Sequence, residues 1–303
     1  MKHLTGYASA GDQASALQIL PTLTLALMGL FVSFTPASAA PILGSNLASF
    51  AVLGAAGVTN VPVSTIGGNL GSAPTPSVGG GYIFTSGSLQ GNTQLAQDAQ
   101  LELDAAILAV NAFGTGLTVT GGNLDAFQLS NGGTIGPGTY TVPAAFLNLT
   151  GTLVLDGGGS NSALFVFQFP STLITGSSSS VIVQNVGNGA NVGLYFNVGS
   201  AATLDGASFA GNVLAREIIS SDGNLTIACG RLLSSENQVT LIQDNISIGC
   251  AGIGFGSGGF DQGAAIGSGG IGGSNGQVVP EPGSLALLGL GLAALGLMRR
   301  RHA

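Results

Sequence analysis

The chain has 303 residues, of which 52 are glycine and only 6% are charged, and its net charge is −7. Arg216 and Arg231 are the only basic residues outside the two terminal segments, so no cluster of lysine and arginine is available to displace counterions from phosphates. Nucleic acid is therefore excluded as a partner.

The N-terminal segment has the features of an export signal. An apolar run covers residues 17–34, and the small residues Ala37 and Ala39 after it fit an A-x-A cleavage site. We expect residues 1–39 to be a signal peptide that signal peptidase removes. An uncleaved N-terminal anchor is the alternative, because the segment before the apolar run is long and contains Asp12.

The body of the chain, residues 41–250, consists of short β-prone runs separated by Gly, Asn and Asp. Three runs recur in the same order, first as LFVFQF, STLIT and SSVIV, and then as GLYFNV, ATL and SFAGNVLA. Three short strands in each repeat of roughly 20 residues favour a mainly β fold in which triangular coils stack as a β-solenoid with three faces. A β-sandwich, which uses the same alternation, is the alternative.

One segment interrupts the β pattern, at about residues 92–113. Its apolar residues recur at spacings of three and four, which predicts an amphipathic α-helix. Asn92 is the expected N-cap, and Gly114 is the expected stop. The apolar stripe should pack along one flank of the solenoid; its members are Leu95, Ala99, Leu103, Ala106, Val110 and Phe113.

The stretch from residue 251 to residue 278 is rich in Gly and Ser and is expected to be a flexible linker, since such sequence gains little from burial. A further irregular solenoid turn is the alternative. After it, residues 279–303 contain Pro280, Glu281 and Pro282, then an apolar stretch at 285–298, and then three arginines. The apolar stretch would make a short transmembrane helix, which is marginal for ~30 Å of hydrocarbon.

This C-terminal arrangement resembles the PEP-CTERM sorting signal. The resemblance implies processing by an exosortase-type protease and display at the cell surface or release outside the cell, with a transient or retained membrane anchor.

The expected mature chain offers little chemistry to an enzyme. The two histidines of the full sequence, His3 and His302, lie in the terminal segments, so histidine-based nucleophilic schemes and metal sites are disfavoured, and we expect no catalytic residue, metal or cofactor. A carboxylate-dependent polysaccharide lyase or hydrolase is the least favoured hypothesis. The candidate carboxylates are interpreted as a solvated helix face and as turn residues; they are Asp98, Glu102, Asp156, Asp205 and Asp222.

The chain has two cysteines, Cys229 and Cys250. In an exported protein such a pair favours a structural disulfide over a metal or redox site, with a stabilisation of about 3 kcal/mol in the chain-entropy model.

Several segments of the body resemble the ice-binding protein family. They are LGSNLASFAVLGAAGVTN (43–60), STIGGNLGSAP (64–74), the helix, LTGTLVLDGGGSNSALFVFQFPSTLITGSSSSV (149–181) and VGSAATLDGASFAGNVLA (198–215). The resemblance implies an irregular right-handed β-helix with one long α-helix packed alongside. Tyr195 and Phe196 stand in a run where the family often has Trp, a change that the core should tolerate.

The resemblance also implies a function and a surface. We expect an exported ice-binding (antifreeze-like) protein whose partner is an ice surface. A structural or adhesive component of an exopolysaccharide matrix, with extracellular polysaccharide as its partner, is the alternative. A flat sheet fixes small side chains at ~4.8 Å intervals, although Ser and Thr also commonly coat exposed strands. The residues assigned to the ice-facing strands are Thr59, Ser64, Thr65, Ser179, Ser180, Ser208 and Thr226.

Overall fold

The structure is a computed structural model that describes residues 41–206, 208–253 and 257–262. The prediction of a mainly β protein is confirmed: nineteen strands accompany two α-helices and short 3-10 turns in this part of the chain. The predicted signal peptide, most of the predicted linker and the sorting motif at Pro280, Glu281 and Pro282 lie outside the described residues. Within the described ranges, no helix is both long enough and apolar enough to cross a membrane.

The strands pair in parallel and form three surfaces. Face b is the simplest, because its strands form a separate sheet with no shift of register. In spatial order its strands are β11 (Leu173–Ile174), β14 (Ala202–Leu204), β16 (Ile219–Ser221), β18 (Gln238–Ile242) and β2 (Gly57–Val61).

Faces a and c are joined through two long strands, β15 (Ser208–Ala215) and β17 (Thr226–Ser234), whose two ends pair with different neighbours. The change falls at Gly211 and Gly230, which are paired; a Cβ on Gly230 would come within 2.0 Å of the Gly211 carbonyl oxygen. Only glycine allows the two strands to approach this closely.

The remaining strands are assigned by their partners. Besides the ends of β15 and β17, face a contains β6 (Leu89–Gly91), β4 (Asn69–Ser72), β1 (Phe50–Gly54), β13 (Gly193–Val198), β10 (Leu164–Phe169), β8 (Gly138–Thr141) and β7 (Leu117–Thr118). Face c contains β9 (Thr152–Asp156), β12 (Ser180–Gln184), β19 (Asn245–Ser247), β3 (Ser64–Gly67) and β5 (Tyr82–Ser86).

We call three successive strands, one on each of faces a, b and c, a coil. The order of the coils in space differs from their order in the sequence. The first coil, β1–β2–β3, pairs with the last strands of the body, since β1 lies on β17, β2 on β18 and β3 on β19. The chain therefore starts near one end of the stack, crosses to the other end, and returns coil by coil until it meets its own N-terminal coil.

The crossing is made by helix α1, which spans Gln94–Asn111. Its 18 residues extend about 27 Å, close to the ~29 Å that six strand spacings from β4 to β8 occupy. The helix begins slightly later than predicted, because the Thr93 hydroxyl, rather than Asn92, accepts the capping hydrogen bond from the Ala96 amide. The second helix, α2 (Leu124–Ser130), is short and contacts β9.

The predicted apolar stripe of α1 packs on face a. Ala99, Leu103 and Val110 are buried with outward side chains of that face, including Tyr195 and Leu214. Inside the stack, the rings of Tyr140, Phe167 and Phe196 lie on paired strands and stack at centroid distances of 5.3 and 5.2 Å. Phe196 thus fills the core in the run that lacks Trp.

The predicted disulfide is confirmed, since Cys229 on β17 is bonded to Cys250. The linker prediction is wrong for residues 257–262, which we call the strap. The strap packs on face a: the Leu194 amide donates to the Phe260 carbonyl (3.0 Å), and the Ile42 amide donates to the Asp261 carbonyl (3.2 Å). The physical reason is burial, because the Phe260 side chain is buried.

Two leucines of α1 test the docking of the helix. Leu103 is fully buried, whereas Leu101 is 70% exposed. We expect Leu103→Ala to lower the free energy of unfolding by about 2–5 kcal/mol, because it leaves a cavity against face a, and Leu101→Ala to change it by less than about 0.5 kcal/mol. Chemical denaturation followed by circular dichroism measures both values. Equal effects of the two substitutions would contradict this packing.

Candidate functional site

A row of outward-facing side chains runs along face c without interruption. Each member is paired directly with the next, and we call this row the c ladder. At one end the hydroxyl oxygens of Thr152 and Ser180 lie 2.9 Å apart. The ladder consists, in order, of Thr152, Ser180, Ser208, Thr226, Asn245, Thr65 and Ile83.

A second row runs along face b. The Thr59 hydroxyl donates a hydrogen bond to the Thr240 hydroxyl at 3.1 Å, so these two side chains are fixed relative to each other. Behind the row, Val58, Ile219 and Val239 point inward and are buried. The row, which we call the b ladder, consists of Ile174, Thr203, Ser220, Thr240 and Thr59.

The residues assigned from the sequence divide between these two rows. Four of them, Thr65, Ser180, Ser208 and Thr226, are members of the c ladder, and Thr59 belongs to the b ladder. The sequence reasoning missed Thr152 on face c and the hydroxyl residues Thr203, Ser220 and Thr240 on face b. Their runs, ATL, IISS and QVTLI, are short β-prone segments, but only strand pairing shows that they lie side by side.

The other two assigned residues, Ser64 and Ser179, do not face solvent; their exposed fractions are 0% and 2%. Each hydroxyl instead hydrogen-bonds the chain where it turns from face b to face c. Ser64 Oγ donates to Asn60 Oδ1 (2.7 Å) and accepts from the Asp244 amide (2.9 Å), and Ser179 Oγ donates to the Asp205 carbonyl (2.9 Å). Both serines therefore fix the corner and cannot contact a surface.

The same corner contains a buried carboxylate, Asp244. Its oxygens accept from the Ser221 hydroxyl and from the amides of Leu225 and Ile242, both at 3.0 Å. Burial raises the pKa of this carboxyl group, and the three hydrogen bonds oppose that effect. The group has a structural role at the angle between the two faces.

The lengths of the connections between strands determine how closely a flat surface can approach each face. The connections on both sides of face b contain only two to five residues. Face c is bordered at one end by the longer connections 157–163 and 185–192, in which about half of the residues are exposed. Face c also has register shifts between Phe209 and Ala210 and between Ile66 and Gly67. Face b is consequently the more regular surface, and face c carries the longer ladder.

Two of the carboxylates considered for catalysis, Glu102 and Asp156, have structural partners. Glu102 was expected on a solvated helix face, but it is half-buried and accepts from the Leu47 amide (2.7 Å) and Asn46 Nδ2 (2.9 Å). Asp156 accepts from the Gly158 amide and from Asn185, and these bonds lower its pKa. Within the described ranges, no three His, Cys, Asp or Glu side chains are grouped so that they could hold a metal ion.

Comparison with known proteins identifies the family. The family model described as ice-binding-like matches residues 52–247, and the model of the PEP-CTERM protein-sorting motif matches residues 278–301. The chain belongs to the ice-binding-like family and carries a PEP-CTERM sorting motif.

Individual relatives agree with this assignment. The chain is 36% identical to an ice-binding protein of Nostoc sp. (strain HG1) over an alignment of 277 residues, which covers 88% of this chain and 90% of the relative. The crystal structure of an ice-binding protein from Antarctomyces psychrotrophicus matches with a TM-score of 0.57 and 31% identity, covering 68% of this chain and 98% of that one. An ice-binding protein from an Antarctic biological consortium matches with a TM-score of 0.56 and 28% identity, over 70% and 93% of the two chains.

Replacing one serine at the corner and one on a face separates their roles. Ser64→Ala removes a buried acceptor from the Asp244 amide, so we expect the free energy of unfolding to fall by about 1–3 kcal/mol. Ser208→Ala, on the exposed c ladder, should change it by less than about 0.5 kcal/mol. Urea denaturation of both variants provides the comparison, and a Ser208→Ala cost as large as that of Ser64→Ala would refute the assignment.

Proposed function

We propose that this chain is an exported ice-binding protein that adsorbs to ice through face b. The observation that carries the proposal is the b ladder, which is in register across five strands and has short connections on both sides. Its family membership and the ice-binding relatives support the choice of ice as the partner.

The chemistry of the b ladder suits a surface of ordered water. Its members offer hydroxyl and methyl groups at ~4.8 Å intervals, and none of them is charged. Threonine is stiff at χ1, and the hydrogen bond between Thr59 and Thr240 restricts two of its members further. Little side-chain entropy is therefore lost when such a row meets a rigid lattice.

The scaffold that we infer for this surface is an irregular right-handed β-helix with α1 along face a. The coils described above are successive parallel crossovers, and parallel crossovers are right-handed in about 98% of cases. A rigid core behind face b keeps the spacing of the ladder fixed, because the inward residues are buried across all coils.

The c ladder is the second candidate surface for ice. It includes Thr65, Ser180, Ser208 and Thr226, which are four of the seven residues that the sequence assigned to ice. Its greater length favours it, whereas the adjacent long connections and the register shifts favour face b.

We further propose that the protein works without catalysis or a cofactor and outside the cytoplasm. The sorting motif at residues 278–301 supports export and cleavage by an exosortase-type protease, after a stage in which the C-terminal segment anchors the chain to the membrane. The protein would then be displayed at the cell surface or released.

One pair of substitutions decides between the two faces. Thr240 lies on the b ladder and Thr226 on the c ladder, and both side chains are partly exposed. We expect Thr240→Tyr to raise the concentration needed to inhibit ice recrystallisation roughly tenfold or more, which corresponds to about 1.4 kcal/mol of lost adsorption free energy. Thr226→Tyr should leave that concentration unchanged. Circular dichroism of both variants controls for folding.

The outcomes are distinct. Loss of activity in Thr226→Tyr alone would move the ice-binding surface to face c. An unsubstituted protein that neither inhibits recrystallisation nor shapes ice crystals would overturn the proposed function, and retention on an insoluble polysaccharide would then favour the matrix component.

A further inference from the structure

The strap covers a buried cation. Arg231, at an outward position of β17 on face a, is only 1% exposed. Its Nη1 donates to Asn212 Oδ1 (2.8 Å) and to the Gly259 carbonyl (3.2 Å). Its Nη2 donates to the carbonyls of Ala48 (2.6 Å) and Gly258 (2.7 Å). Two of these four acceptors belong to the strap.

The strap also supplies the countercharge. Asp261 Oδ2 lies 3.6 Å from Arg231 Nη2, and burial lowers the pKa of the arginine while the carboxylate of Asp261 opposes that shift. In the part of the chain that the structure describes, Arg231 Nε has no hydrogen-bond partner. The guanidinium therefore depends on the strap for its charge partner and for half of its hydrogen bonds, and a buried charge without its partner is strongly destabilising.

Asn212 connects the strap to the next coil. Its Nδ2 donates to the carbonyls of Gly259 (2.9 Å) and Phe260 (2.8 Å), while its Oδ1 accepts from Arg231. Tyr195, on the following coil, donates from its hydroxyl to the Gln262 carbonyl at 3.2 Å. The strap thus crosses successive coils of face a and is bonded to each of them.

Glycine is required at one position of the strap. Gly259 has φ +110°, and a Cβ there would lie 2.3 Å from Arg231 Nη1. The neighbouring Gly258 has no such restriction, since the nearest atom to its Cβ would be Asp261 Oδ2 at 3.9 Å. This part of the Gly-rich stretch therefore serves close packing on a guanidinium.

We propose that residues 257–262 are a C-terminal clamp, held on face a by Arg231 and Asn212, and that the folded domain is complete only when this clamp is docked. The domain then ends at Gln262 rather than at Cys250. Cleavage at the sorting motif, which begins beyond residue 277, leaves the clamp intact, whereas loss of the chain after Cys250 would remove the carboxylate and two carbonyl acceptors of Arg231 together with the segment that covers it.

The test compares two adjacent glycines in the full, exported chain. We expect Gly259→Ala to lower Tm by roughly 5 to 10 °C, because it forces the strap away from Arg231, and Gly258→Ala to leave Tm nearly unchanged. The Leu194 amide donates to the Phe260 carbonyl, so its hydrogen exchange should accelerate in Gly259→Ala and not in Gly258→Ala.

A double-mutant cycle with Arg231→Met shows whether the guanidinium causes the fall in Tm in Gly259→Ala. We expect Gly259→Ala to lower Tm less in the Arg231→Met background than in the unsubstituted chain, because the clash with the guanidinium is gone and only the backbone strain at φ +110° remains. Equal Tm values and equal Leu194 exchange for the two alanine variants would overturn the proposal. An undiminished cost of Gly259→Ala in the Arg231→Met background would also overturn it. If Arg231→Met does not fold, the comparison of the two alanine variants decides alone.

Discussion

The structure depends on a pairing between strands that are far apart in the sequence. Thr59 and Thr240 are 181 residues apart, yet their strands lie side by side and their hydroxyls are hydrogen-bonded. The same contact between the first coil and the last strands occurs on face a, through β1 and β17, and on face c, through β3 and β19. Without it the stack would separate into two parts, and neither ladder would be continuous.

Helix α1 makes this pairing possible, because it returns the chain to the far end of the stack. Its length matches the distance to be crossed, and its buried stripe covers face a, so that face cannot serve as a binding surface. The strap packs on face a as well, and its Asp261 carbonyl accepts a hydrogen bond from Ile42. Residues 42 and 261 are therefore neighbours on face a, away from the b ladder.

The features that follow from local pattern were predictable from the sequence. The helix is encoded by apolar residues at helical spacing, and the mainly β fold is encoded by short runs between turn residues. The disulfide followed from the cysteine count. Strand register could not be predicted in this way. Neighbouring residues of a strand point to opposite sides, so a shift of one residue exchanges the buried and exposed positions. Ser64 and Thr65 have similar chemistry and adjacent positions, but one is buried in a corner and the other is on the c ladder.

Two further features could not be read from local sequence. The membership of the b ladder depends on which runs stack. Thr59 and Thr240 are neighbours in space, but they are far apart in the sequence because the chain crosses the stack and returns between them. The strap is rich in glycine, which predicts a flexible linker, but Gly259 allows its close approach to Arg231. Arg231, one of two arginines in a body with few charges, was the available signal, since a buried charge needs a partner.

The most direct test of the account is to observe the protein on ice. A fluorescently labelled, mature chain should accumulate on the surface of a single ice crystal held in solution and should remain there after the surrounding solution is exchanged. A matched Thr240→Tyr protein should bind weakly. Fluorescence that stays in the liquid for the unsubstituted protein would contradict the claim that its rigid, uncharged face adsorbs to ice.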